Sequence, residues 1–343
     1  MKNWSAAALA AAMVLLAGGA QAQSSVQVMG LVDMYAGRLK LAGDASGTSV
    51  LNSGGMTTSW WGFKGTEDLG GGLKAGFALT SFLQADKGVP GRFTGDTFFS
   101  RDANVSLSGG FGTLTAGRAL APNFLPTILF NPFGDSFTFS PLVLHNNVGL
   151  FNGTGWTQTT PSDTGWSNEL LYSTPSFGGL TANVHYQFGE QPNDSGTANY
   201  GVNLLYFNGP FAATAFYEKD QVSNPVPAPF AGNDTKTDWM LGASYDFQVA
   251  KLSGTFGKAD SDVLDQGTRT WSLGVTAPVG PGSLMLAYAN SRVDTTDTTR
   301  KTASLGYDYF LSKSTDVYAV VMHDAISGFS SGTSFGAGIR KRF

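Results

Sequence analysis

Ser334-Phe335-Gly336-Ala337-Gly338-Ile339-Arg340-Lys341-Arg342-Phe343 is ten residues of near-strict alternation, and it ends on an aromatic. Phe335, Ala337, Ile339 and Phe343 fall on one face, and Gly336, Gly338, Arg340 and Arg342 on the other, with Lys341 as the single interruption. A period of two means a strand with an apolar side and a polar side. A terminal strand left at the edge of a sheet would be frayed and exposed. Closing a barrel removes the edge, so this stretch predicts a closed sheet.

Working back along the chain, the same alternation recurs. Trp239, Leu241, Ala243, Tyr245 and Phe247 alternate with Asp238, Gly242, Ser244, Asp246 and Gln248. Trp271, Leu273, Val275 and Ala277 alternate with Thr270, Ser272, Gly274 and Thr276, and Ala303, Leu305, Tyr307 and Tyr309 with Thr302, Ser304, Gly306 and Asp308. The pattern predicts about 16 strands, at 25–37, 54–66, 72–84, 97–109, 111–118, 167–175, 179–188, 198–207, 210–219, 236–248, 251–260, 268–278, 282–292, 299–310, 313–324 and 333–343. Short turns such as Asn208-Gly209, Val249-Ala250 and Leu311-Ser312 take turns with longer polar loops. A soluble sandwich needs no such parity. A transmembrane antiparallel β-barrel with periplasmic turns and extracellular loops does, and at this strand number it encloses water.

Composition agrees. Glycine is frequent (45 residues), aromatics make up 13%, and charged residues only 13%, about half the usual share. Lipid-facing positions exclude charge and tight turns need glycine, so one architecture accounts for all three. No stretch after the first two dozen residues is long and apolar enough for a membrane helix. At the start, Lys2, the apolar run Ala6 to Ala20 and Ala20-Gln21-Ala22 read as an export signal at 1–22, cleaved after Ala22, with the barrel at 23–343. The apolar run is short against the roughly 20 residues of a membrane anchor. Cysteine is absent, which excludes disulfides and thiolate metal sites. A net charge of −4 without a basic patch excludes a nucleic-acid partner.

Six stretches resemble the Gram-negative general porins of the betaproteobacterial and neisserial type. They are Ser25 to Asp33, Gly62 to Ala75 with its Gly-Thr-Glu-Asp-Leu-Gly-Gly-Gly-Leu core, Val105 to Gly112 followed by Gly117-Arg118, Tyr172 to Gly179, Leu241 to Phe247, and Gly338 to Phe343. The resemblance spans the chain in order. It implies a homotrimer of 16-stranded barrels among outer-membrane lipid and lipopolysaccharide, passing ions and small hydrophilic solutes, with the third extracellular loop folded inward. The 119–166 segment is the longest connection, and a loop of that length without strands is usually functional.

The resemblance also places a pore constriction. Asn131-Pro132-Phe133-Gly134-Asp135 is similar to the Pro-Glu-Phe-Gly-Gly-Asp of porin constriction loops and makes Asp135 the acidic candidate. Trp60 stands where relatives carry an arginine, Lys64 shares its face, and Arg101 matches a second family arginine. A third arginine has no counterpart in Gly165-Trp166-Ser167-Asn168. Arg101 has the parity of Ala103, Val105 and Leu107, so simple alternation turns it outward; a bulge or a subunit interface would reconcile this. Arg118 either lines the pore or anchors the loop base. With Trp166, these six residues are the expected constriction. The loop aromatics and the missing arginines suggest an alternative, a channel specific for aromatic or weakly polar solutes. His145, His185 and His323 sit in no hydrolase motif and have no metal-ligand spacing, so neither an enzyme nor a cofactor is expected.

Overall fold

The computed structural model describes residues 25–93, 95–146, 164–190, 196–222, 224, 235–262 and 265–343. The predicted signal at 1–22 lies outside them. Alternation builds eighteen strand segments into one antiparallel sheet. From the start of the chain these are β1 (Ser25–Leu39), β2 (Thr48–Ser53), β3 (Trp60–Gly70), β4 (Leu73–Gln84), β5 (Val89–Pro90), β6 (Asp102–Gly109), β7 (Gly112–Leu120), β8 (Gly165–Ser173) and β9 (Leu180–Phe188). There follow β10 (Ala198–Asn208), β11 (Phe211–Asp220), β12 (Lys236–Asp246), β13 (Lys251–Ser261), β14 (Gln266–Val279), β15 (Gly282–Val293), β16 (Thr299–Ser312), β17 (Thr315–Ile326) and β18 (Gly332–Arg342).

Each stave pairs with its sequence neighbour, and β18 returns to β1 in the register Met34↔Ile339 and Ala36↔Ala337. The sheet is thereby a closed barrel of 16 staves. β5 is a short hairpin strand in a loop, while β2 and β3 together form one stave.

That divided stave corrects the expected strand at 54–66. Pairing with β1 stops at Ser53 and resumes at Trp60, so 54–59 leaves the wall. Asp33 on β1 holds the excursion: its Oδ2 accepts the backbone N–H groups of Met56 (2.7 Å) and Thr57 (2.8 Å). Gly54, at φ +81°, makes the departure possible. The expected strand at 97–109 likewise begins only at Asp102.

The two faces differ as alternation requires. Leu273 and Phe335 are more than half exposed on the outside, whereas their neighbours Ser272 and Ser334 are buried on the inside. Outer aromatics gather near both rims, with Tyr245–Phe247 (4.6 Å between ring centres) at the turn end and Tyr186–Phe188 (4.9 Å) at the loop end. Such paired girdles mark membrane interfaces. Lys341, the one outward charge of the closing strand, reaches Ser314 Oγ (2.8 Å) at the turn rim, where an ammonium stays hydrated.

Inside, the barrel carries an apolar cluster that no strand supplies alone. Met56, Phe133, Phe139 and Leu144 pack on Tyr35, Met285, Tyr318, Val320 and Met322 of the wall. Phe133 and Phe139 are 1% and 0% exposed. Burying one such ring is worth roughly 1.5–3 kcal/mol, so this contact fixes the loop to the wall.

Candidate functional site in the barrel interior

The connection after β7 starts with α1 (Phe124–Leu129) and α2 (Pro141–Asn146), and its described part lies along the inner wall. Three strand glycines make room for it. A Cβ on Gly306 would meet Phe133 at 2.9 Å, one on Gly336 would meet Phe139 at 2.8 Å, and one on Gly274 would come within 2.6 Å of Pro132 Cγ. Gly242 also lies under Phe130, where a Cβ would make ordinary contact at 3.5 Å. Glycine in a strand interior commonly marks such a close approach.

Polar contacts complete the docking. Ser304 Oγ donates to the Phe139 carbonyl (2.7 Å), Ser136 Oγ to the Gly55 carbonyl (2.7 Å) and Thr138 Oγ1 to the Gly54 carbonyl (2.9 Å). His145 is buried between Ser291 Oγ (2.7 Å) and Thr302 Oγ1 (2.8 Å), and Arg300 Nη1 donates to the Leu144 carbonyl (3.1 Å). Burial, aided by the Arg300 charge, pushes the His145 imidazole well below its ordinary pKa, so the ring is neutral here.

Around the tip of this segment the structure gathers three of the six expected site residues. Arg101 precedes the regular part of β6, and its guanidinium turns inward. It stacks over Trp60 at 4.2 Å and pairs with Asp102 (2.6 Å). The parity conflict disappears because alternation begins only at Asp102. Asp135 accepts a hydrogen bond from Thr57 Oγ1 (2.9 Å) on the wall excursion. Burial raises its carboxyl above the usual range, against the opposing pull of Thr57, Arg340 and Arg101.

Lys64 lies further toward the turns, on a water-accessible recess of about 370 Å³ shared with Asn104, Asn183 and His185. Arg118 is not on open water. It is 5% exposed, and it donates to the carbonyls of Ser100 (2.7 Å) and Gly165 (3.1 Å) and to Ser167 Oγ (3.0 Å). Of its two readings, this geometry is the loop-base anchor. Trp166 is 1% exposed and edge-on to His185 (6.1 Å), so it too packs the base rather than facing the lumen.

One lumen residue was absent from the expected site. Arg340 donates to Thr57 Oγ1 (3.2 Å), Asp316 (2.7 Å) and Asp308 (2.5 Å), and so sits beneath the Thr57–Asp135 contact. Its signal was the closing alternation itself, which assigns Arg340 to the polar face.

A closed barrel with a greasy exterior, a polar interior and a long segment docked inside is the architecture of an outer-membrane channel protein. The family model for the Gram-negative porin matches residues 6–328, and the chain belongs to that family and to the outer membrane. It is 35% identical to outer membrane porin protein 32 of Delftia acidovorans over 90% of this chain and 86% of that protein. Among solved structures it resembles an anion-selective porin from Comamonas acidovorans, with a TM-score of 0.78 and 29% identity over 94% of this chain and all of that one. The trimer form of OmpT from Vibrio cholerae shares the fold (TM-score 0.65, 16% identity, 93% of this chain and 99% of that one).

Proposed function

We propose that the protein is a water-filled porin for passive diffusion of ions and small hydrophilic solutes. The observation that carries this is the segment docked inside the closed barrel, whose tip brings Asp135 to Thr57 beside Arg340, with Arg101 stacked on Trp60 nearby. Charged side chains grouped around a water-filled lumen set up a local field that orients and sorts solutes. Trp60, Arg101 and Asp135, with Arg340 and Lys64, form the constriction in this reading, and 119–166 is its loop. Further parts of the reading are a homotrimer embedded in lipid and lipopolysaccharide, and export through a signal cleaved after Ala22. Catalysis has no part in it.

The stacking of Arg101 on Trp60 at 4.2 Å supports a second reading, a channel that prefers aromatic or weakly polar solutes. Liposome swelling separates the two. Uptake of uncharged sugars that falls smoothly with size supports general diffusion. Swelling only with aromatic solutes supports the specific channel, and no swelling with either removes both.

A further inference from the structure

The loop-side mouth contains a second, unused cavity. It measures about 480 Å³ and lies between the outer half of the divided stave, the loop residues at 85–93 and the tip of the docked segment. A small-molecule site typically occupies about 300–1,000 Å³. Phe82, Phe93, Phe124 and Phe137 line it, and so do the charged residues Asp86, Asp135, Lys87 and Arg92.

The aromatic side of the cavity is held in place. Arg92, clamped to Asp96 by a contact of 2.8 Å, lies over the Phe82 ring (5.3 Å) and the Phe93 ring (5.4 Å). This leaves Phe93 48% exposed at a loop position where nothing in the barrel requires an aromatic. The charged side is only partly satisfied. Asp86 accepts from the Ser53 N–H (3.3 Å), Asp135 from Thr57, and Lys87 Nζ donates to Gln84 Oε1 (2.8 Å). Among the described residues neither carboxylate is in an ion pair, and the one local ammonium stands at the exposed rim.

A cavity lined by phenyl rings, two carboxylates outside any ion pair among the described residues and one exposed ammonium, with the Arg92 guanidinium already taken up by Asp96, is complementary to a small aromatic zwitterion. We propose that this cavity is a vestibule binding station for aromatic α-amino acids. The ring packs among Phe82, Phe93 and Phe137, the solute ammonium meets Asp86 and Asp135, and its carboxylate meets Lys87. Solute held here sits directly above Asp135, so occupancy obstructs the ion path. The station rests on the channel reading.

The test is single-channel recording of the full-length protein in a planar bilayer, with amino acids added to the loop side. L-phenylalanine is expected to interrupt the current in a saturable manner, while L-alanine and 3-phenylpropionate, which lacks the ammonium, interrupt it less. Phe93→Ala, read against its own solute-free current, is expected to weaken the phenylalanine effect about two- to tenfold, the worth of one aromatic contact. Lys87→Gln is expected to abolish discrimination between L-phenylalanine and phenethylamine. Equal interruption by alanine and phenylalanine, or none by either in a conducting channel, overturns the station while leaving the channel intact. Absence of any conductance defeats the channel reading instead.

Discussion

Replacing Gly274 by valine tests the docking of the interior segment where it is tightest. A Cβ at this position would stand 2.6 Å from Pro132 Cγ and 2.8 Å from Ser253 Oγ, distances real side chains do not occupy. Gly274 is held by two neighbouring staves, opposite Ser253 and Ala287, so the wall cannot retreat and the loop must. Overpacking of this kind costs about 1–3 kcal/mol. Two docked rings, Phe133 and Phe139, hold the segment with roughly 3–6 kcal/mol between them, so the loop is expected to stay docked but to leave more often. The undocked population rises about 5- to 150-fold. The chain has no cysteine, so a pair introduced at Thr57 and Asp135, whose side chains meet at 2.9 Å, reports docking by its rate of oxidative cross-linking. Slower cross-linking and noisier open-channel current are expected in Gly274→Val, with the folded barrel retained on gels of unheated samples. Unchanged cross-linking and unchanged noise would refute the role assigned to the glycine lane.

Other outcomes follow from the same contacts. Trp60→Arg places a second guanidinium beside Arg101, and the reversal potential under a salt gradient should move in the anion-selective direction. Arg118→Ala strands the carbonyls of Ser100 and Gly165, and should lower the thermal stability of the folded form by about 1–3 kcal/mol per buried group left unpaired while changing ion selectivity little. Docking should weaken in acid because His145 is neutral when docked: its contribution is complete above the free-imidazole pKa of about 6.5 and is lost at up to about 1.4 kcal/mol per pH unit below it. Current noise that rises between pH 7 and 5 in the parent, but not in His145→Gln, would confirm this assignment.

The staves were legible because each presents one face to lipid and one to water, and a period of two survives any error in their ends. The glycine lane was legible in part: Gly242, Gly274, Gly306 and Gly336 all fall on the polar face, though alternation alone does not say that a loop lies over them. The divided stave was hidden. Thr48–Ser53 places Val50 and Leu51 side by side on opposite faces, and the excursion at 54–59 depends on Asp33, more than twenty residues away in sequence. The resemblance put Arg101 and Trp60 in one expected constriction, and the two side chains stack; the parity of Arg101 misled because the residue precedes the regular strand. For Arg118 the sequence left pore lining and loop-base anchor both open, and Trp166 entered the expected constriction at the place of a family arginine. Their burial follows from the bulge between Gly117 and Ala119, which no periodicity announces.

The most direct measurement is the conductance of the purified full-length protein inserted into a planar bilayer over a range of potassium chloride concentrations. A water-filled lumen predicts discrete current steps that grow nearly in proportion to salt concentration. Insertion without steps, or a current already saturated at low salt, would contradict it.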